Sequence, residues 1–407
     1  MPAVIGGLDR RERLIARARQ GFRLTFGNEK SDPARFFAAP GRINLMGDLV
    51  DFSGGFALSC AINRETIVSL SPSSEVGGRG FIEAVAIDMG QARDKFALNE
   101  PIVPTGTGWQ DLLRAIVMCL QADGHEVLPA RLAIASDVPI GVGLASSASL
   151  AVCLTLALVQ HSRIALGPTD IASIAQRVER SCSASQPELF DHVTSALARK
   201  AHALLVDCAT MQSMPIPVSS DLDLVIVNTG TREDQAKSDL AERRKQCEHA
   251  ARKIGVGSLR DATPEMLAQA RDGLDRTIFS RARHVVSEIA RVEPFAVALA
   301  QGDVATLNQL MRDSHVSMRD DFEVSTPVID ELVETIGSAL GSGQNAVGGV
   351  RMTGIGYGGC IIALTQKDAA EVVIEVVEKH YNPKADRPVS AGVYAIGGGA
   401  REATPRT

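Results

Sequence analysis

The chain has 407 residues, more than twice the roughly 100–200 of one domain, so two packed domains or one large α/β unit are the starting options. Hydrophobic residues at 45% and charged residues at 22% exclude disordered, collagen-like and coiled-coil classes. Lys and Arg total 42 against 48 Asp and Glu, a net charge of −6, which leaves no global basic field for nucleic acid or an anionic membrane. Leu8–Phe26 carries Leu14, Ile15, Ala18 and Phe22 at helical spacing and reads as an amphipathic helix. Its charges at Asp9, Arg10, Arg11 and Glu12 sit where a secretory leader would be apolar, and no apolar run reaches the roughly 18 residues of a membrane helix. A cytoplasmic protein without a leader is expected.

A short strand is expected at Arg35–Ala38. A Gly- and Asp-rich stretch from Gly41 to Gly55 follows, then Phe56–Leu70 and Arg79–Ile87, which read as paired strands. Trp109–Leu120 is helical in pattern, Arg131–Ser136 a strand, and Ser147–Gln160 a buried helix. Helices at Ile171–Cys182 and Asp191–Lys200 lead to a strand at Ala203–Val206. Met211–Ser220, with its prolines and serines, is the candidate boundary, which divides the chain into units 1–212 and 213–407. Beyond it Leu222–Val227 opens a second α/β region with helices at Gln235–Ile254, Arg281–Ala300, Val304–Val316 and Thr326–Leu340. Glycines gather in Gly341–Gly359 around Arg351, before a strand at Cys360–Leu364 and a helix at Asp368–His380. Seven scattered cysteines, with no paired spacing and no histidine at metal-ligand distance in sequence, read as reduced thiols that pack as small hydrophobes.

Three segments carry chemistry. Pro139–Ser149 places Gly141, Gly143 and three hydroxyls immediately before a helix, a composition that suits phosphate oxygens at a helix N-terminus. It lacks the lysine of a P-loop. A plain turn with Ser146 capping the helix is the other reading. Gly354–Gly359 has the glycine spacing of a dinucleotide fingerprint but runs into a strand rather than a helix, so a tight turn is the better reading. Gly41–Gly55 brings Arg42, Asn44, Asp48 and Asp51 between strand-like runs, as a ligand loop or a solvated connection.

Together the segments resemble the GHMP small-molecule kinases, galactokinases most closely. The family patterns GRxNLxGEHTDYNGG, VPxGxGLSSSASLE and RMTGGGFGGC stand against Gly41–Gly55, Val138–Ala151 and Arg351–Cys360. Asp191–Cys208, Arg243–Glu248 and Ser314–Asp321 also look like galactokinase. The resemblance implies an α/β two-domain GHMP fold with the active site in the cleft between domains. It implies an ATP- and Mg²⁺-dependent phosphorylation of a galactose-like sugar at its anomeric hydroxyl. Asp191 matches the catalytic carboxylate that takes the hydroxyl proton; as a bare residue it could equally cap the following helix. Arg42 matches the arginine that neutralises the transferred phosphoryl group. Ser147 and Glu179 match the magnesium ligands, oxygen donors suited to a hard cation. Pro139, Gly141, Gly143, Leu144, Ser146, Ser147, Ala148 and Ser149 match the ATP loop, and Trp109 falls where an aromatic stacks on adenine, or packs in a core.

The sugar-facing positions depart from the family. Its Glu-His pair is Asp48-Leu49, of the following polar residues only Asp51 persists, a glycine before the catalytic aspartate is Glu188, and a sugar-contacting tyrosine is Leu240. Gly354 and Gly356 remain of the third motif, whose middle glycine is Ile355. A sugar other than galactose, L-arabinose for example, is therefore expected; plain galactokinase and a non-catalytic sugar sensor are the rivals. The implied partners are the sugar and ATP, without nucleic acid or membrane, on a monomer or weak dimer.

Overall fold

The computed structural model describes residues 9–27, 33–74, 79–106, 108–182, 188–230, 236–385 and 388–404; the expected helix starts Leu8 and Gln235 lie outside them. α1 (Arg10–Phe26) opens on a capping box in which Asp9 accepts from backbone N–H groups while Glu12 reaches back, and it buries the stripe Leu14, Ile15, Ala18 and Phe22. Two long strands follow, β1 (Arg35–Met46) and β2 (Phe56–Pro72), then β3 (Phe81–Ala86), β4 (Ala92–Ala97), α2 (Gly108–Ala122), β5 (Ala130–Ser136), α3 (Ser146–His161), α4 (Pro168–Cys182), α5 (Leu189–Leu197), β6 (His202–Asp207) and β7 (Ser213–Pro217). The second part holds β8 (Leu222–Asn228), α6 (Ala236–Ile254), α7 (Pro264–Gln269), α8 (Arg276–Gln301), α9 (Val304–Asp320), α10 (Pro327–Leu340), β9 (Gly348–Thr353), β10 (Cys360–Gln366), α11 (Ala370–Glu375), β11 (Ser390–Tyr394) and β12 (Arg401–Glu402).

The first sheet runs β12-β1-β2-β5-β3-β4, with β6 and β7 attached through β2. The expected pairing of Phe56–Leu70 with Arg79–Ile87 is corrected: β5 stands between them, antiparallel to β2 and parallel to β3. β1 also runs eight residues past Ala38, so the Gly41–Gly55 loop is half strand. β7 lies inside Met211–Ser220 and β12 returns from the far end of the chain, both to the first sheet. The second sheet, β11-β8-β10-β9, is antiparallel throughout.

Side chains alternate between faces along a strand. On β8 and β10, Leu224, Ile226, Ile362 and Leu364 meet Ile43, Leu45, Leu58 and Ile62 of the first sheet, with Phe295 and Leu299 of α8. Val225, Val227, Ile361 and Ala363 face the other way, into a core shared with α6, α8 and α10. Burial on both faces explains why these strands read as continuous apolar runs. In the first sheet, Phe37 and Ala39 face α2–α5 while Phe36 and Ala38 face α1. Five cysteines, Cys60, Cys153, Cys208, Cys247 and Cys360, are buried. Among the described residues no helix is long and apolar enough to cross a membrane.

Candidate active site

β1 has irregular register at Pro40/Arg42 and at Asn44/Met46, and such bulges re-aim side chains. At Gly41 a Cβ would come 2.7 Å from the Leu144 carbonyl oxygen. Glycine therefore lets β1 touch the loop after β5, and the Arg42 N–H donates to that same oxygen at 3.1 Å. The buried Arg42 guanidinium then joins three segments. Its Nε donates to Asp191 Oδ1 at 2.6 Å, its Nη1 to the Gly143 carbonyl at 2.8 Å and its Nη2 to Glu188 Oε2 at 2.7 Å. Phe190 lies beneath it, 5.2 Å from the guanidinium carbon to the ring centroid. Burial alone would lower the Arg42 pKa, but the charges of Asp191 and Glu188 outweigh it and hold the cation above its ordinary value. Burial pushes the Asp191 and Glu188 carboxyls up against the opposing pull of Arg42, Glu188 the more strongly because Asp191, Asp51 and Asp48 add their repulsion.

Asp191 is in the first turn of α5, whose N-cap is Glu188, so the capping alternative for Asp191 is excluded. Ser146 is not a cap either. The N-cap of α3 is Ala145, in the left-handed region at φ 54°, and no side chain accepts from the first turn. Gly141 and Gly143 take φ of 75° and 81°, a conformation that costs glycine little. The loop thus delivers an uncapped helix N-terminus, whose first N–H groups suit an anion. Val142 and Leu144 anchor it in the core between the sheets, and the Cys360 thiol donates to the Val142 carbonyl at 3.1 Å. Pro139 is half-buried and Ala148 buried.

The serines of α3 part ways. Ser147 is exposed and its hydroxyl donates to Glu179 Oε1. Ser149 is buried, donating to the Ala39 carbonyl at 2.9 Å and Thr66 Oγ1 at 2.8 Å; its expected place at the nucleotide is replaced by one against the sheet. The other oxygen of Glu179 stands 2.6 Å from His192 Nε2. Burial raises the Glu179 carboxyl, but His192, Ser147 and Arg42 together hold it below the usual range. Trp109 is 5% exposed and packs among Leu112, Leu113 and Ile116 in the first core, which places it as a core tryptophan.

At the sugar-facing positions Asp48 is buried, with a partner on each carboxylate oxygen. Oδ2 accepts from Arg351 Nη2, and Oδ1 accepts from the Gly354 N–H at 2.8 Å. Leu49, in the left-handed region at φ 62°, is buried in the second core. Asp51 is buried in a helical turn, where burial raises its carboxyl against the charge of Arg244 on α6. Leu240, on the same helix, is half-buried against the second core. The glycine turn from Gly354 to Gly359 joins β9 to β10 as a hairpin, which removes the dinucleotide reading. At Gly356 a Cβ would meet Val324 at 2.5 Å. Sequence reasoning missed the hub of this side. Arg351, with no exposed surface, also donates to the Leu45 carbonyl at 3.1 Å and lies 3.5 Å from Glu288 Oε1. Glu288 in turn accepts from Gly47 N–H at 3.1 Å and Ser314 at 2.9 Å.

Residues 20–72 match the galactokinase galactose-binding signature, residues 111–199 the GHMP kinase N-terminal domain and residues 295–383 the GHMP kinase C-terminal domain. Galactokinase of Lactococcus lactis, solved with galactose, is 26% identical, with a TM-score of 0.85 over 94% of this chain and 98% of its own. Mevalonate kinase of Methanococcus jannaschii shares the fold at 19% identity, TM-score 0.60, over 91% of this chain and 100% of its own. That of L. major does so at 18% identity and TM-score 0.60, over 90% and 99%. Three signatures in order along one chain, on a fold shared nearly end to end with the lactococcal enzyme, carry one conclusion: the chain belongs to the GHMP kinases, as a galactokinase-like, ATP-dependent sugar kinase.

Proposed function

We propose that the chain transfers the γ-phosphoryl group of ATP to the anomeric hydroxyl of a galactose-like monosaccharide, and that galactose itself is not its best substrate. The observation that carries the transfer chemistry is Arg42, one cation hydrogen-bonded both to Asp191 and to the phosphate-loop carbonyl of Gly143. Asp191 accepts the proton as the sugar hydroxyl attacks. Arg42 offsets the charge that develops on the phosphoryl oxygens. Gly141, Gly143, Ser146 and Ala148 supply backbone around the nucleotide phosphates, with Pro139 and Leu144 as the supports of the loop. We take units 1–212 and 213–407 as the two walls of the cleft, with β7 and β12 assigned to the first wall by their pairing.

Magnesium fits the donor set. Ser147 and Glu179 bring a hydroxyl and a carboxylate together, hard oxygens that leave the remaining positions to ATP and water. When bound, the ion would supply charge stabilisation for the phosphates. Ser147→Ala and Glu179→Gln are expected to raise the magnesium concentration for half-maximal rate by severalfold, with little change in sugar KM. Titration of magnesium at fixed sugar checks this, and a change confined to sugar KM contradicts the assignment.

The altered substrate follows from three side chains. Asp48 has both oxygens occupied, Leu49 offers no polar atom, and Glu188 puts a carboxylate where the family's glycine puts none. In the galactokinases that this chain resembles, the Glu-His pair replaced here by Asp48-Leu49 faces the C6 hydroxyl, and that hydroxyl left without its partners costs about 1–3 kcal/mol, roughly tenfold to two-hundredfold in preference. A sugar lacking that group, such as L-arabinose, avoids the penalty. A panel of sugars with ATP and magnesium, read by ADP release, is expected to rank a pentose above galactose, and Glu188→Gly to shift the ratio of kcat/KM toward galactose. A hundredfold preference of the parent for galactose would make this plain galactokinase; no ADP release with any sugar would make it a sensor.

A further inference from the structure

α9 and α10 both pack on β9, and a cavity of about 500 Å³ opens among them, within the size range of small-molecule sites. Helical spacing sets Arg312, His315 and Arg319 of α9 along one wall, and Asp330, Glu334 and Ser338 of α10 along the other. The cavity lies apart from the site already described. Val350 lines it, while Arg351, the next residue of β9, reaches toward Leu45 and Asp48; successive side chains of a strand face opposite ways.

At its base is His315. The residue is 4% exposed and neither ring nitrogen has a hydrogen-bond partner, although Nε2 comes within 3.3 Å of Asp330 Oδ1. Burial pulls its pKa down to about 4 despite Asp330, so at neutral pH the ring offers one N–H and one lone pair. A buried polar ring in that state destabilises the fold until something meets it. Arg319 is paired with Asp320 at 2.7 Å. Asp330 Oδ1 accepts from Ser325 at 2.6 Å.

We propose that this cavity is a second binding site, for a sugar phosphate or closely similar polyhydroxylated anion, with Arg312 and Arg319 on the phosphate and His315, Asp330 and Glu334 on the hydroxyls. The division follows from chemistry. Guanidinium groups recognise phosphate oxygens, whereas carboxylates accept hydroxyl protons and repel phosphate, so a bare anion satisfies only one wall. Among the described residues no Phe, Tyr or Trp lines the cavity, and its one ring, His315, is almost wholly buried, so a nucleotide base would find no broad stacking surface there.

Isothermal titration of the full chain with inorganic phosphate, glucose 6-phosphate, galactose 1-phosphate and free galactose tests the site. Sugar phosphates are expected to bind more tightly than phosphate or galactose. Arg312→Ala combined with Arg319→Ala is expected to weaken them about tenfold or more, and Ser338→Trp, which fills the cavity, to abolish this binding. Arg42→Ala, confined to the active site, should leave it intact, and the Arg312→Ala variant should turn over sugar at the parent rate. The double arginine variant keeps the test valid should the tryptophan disturb folding. Binding lost in Arg42→Ala but retained in Ser338→Trp would place the probes in the active site and overturn the proposal. So would phosphate binding as tightly as its sugar esters, or no binding at millimolar concentration.

Discussion

Asp191→Asn is expected to lower turnover by about 10²-fold or more, and Arg42→Ala by at least as much. Asparagine keeps the shape of the side chain but cannot take the hydroxyl proton, so its effect isolates the base. Arg42→Ala removes more than a charge. It leaves Asp191 and Glu188, both buried beside each other, without the cation that separates them, and one of the pair must then take up a proton. Arg42→Lys tells charge from geometry, because an ammonium cannot hold Asp191, Glu188 and Gly143 in the planar fork that the guanidinium uses. Single-turnover ADP formation, beside thermal melts to establish that each variant is folded, measures the effect. A near-normal rate for either variant removes that residue from the mechanism.

The second large effect is on stability. Arg351→Met is expected to cost about 3–5 kcal/mol, because it strands Asp48 in a place without solvent. Glu288 keeps Arg291 at 3.0 Å but loses the larger of its compensating charges. Removing both members of the pair, as Arg351→Met with Asp48→Asn, should recover much of that loss, since two well-packed neutral side chains often replace a buried ion pair at little cost. Urea unfolding of the single and double variants reads the difference. A single-variant loss below about 1 kcal/mol would mean that the pair is hydrated in solution and does not hold the two sheets in register.

These two clusters differ in how far the sequence announces them. The groups we assign to transfer were legible only through the resemblance, whose motifs are short and local: Arg42 in the first, Ser147 in the phosphate loop, and Glu179 twelve residues before Asp191. Helical periodicity marked α1, apolar density marked α3 as a buried helix, and β8 and β10 showed as continuous apolar runs. The sugar side was legible as a set of replacements but not as an arrangement. The partner of Asp48 is Arg351, 303 residues along the chain, and no local pattern tells a carboxylate that faces a ligand from one that faces a distant arginine. Glu288 and His284 on α8 read as ordinary polar helix residues, although both are fully buried. β4 was missed because an exposed edge strand carries Arg93, Asp94 and Lys95, charges that discourage edge pairing. β9 was missed because it opens on two glycines, Gly348 and Gly349. Each sits where a Cβ would come 2.8 Å from backbone, at Leu364 and Asn308 respectively, so the residues that weaken a strand by propensity are required by packing.

β1 carries Arg42 and has β2 along one side and the short β12 along the other, with Phe37 opposite Glu402 and Ala38 opposite Arg401. Arg35 and Glu402, which close the arrangement with a 2.7 Å ion pair, are 367 residues apart in sequence, and the Ala403 N–H ties on to the Phe36 carbonyl at 2.7 Å. Among the described elements, every other strand of the first sheet precedes β12 in the chain, so the strand that carries Arg42 gains its second neighbour only after they are made. Until that moment Phe36–Ala38 is an open edge able to recruit another chain. A polypeptide clipped before Arg401 would thus keep a sticky edge beside Arg42, and the pairing of β12 is the step that closes it.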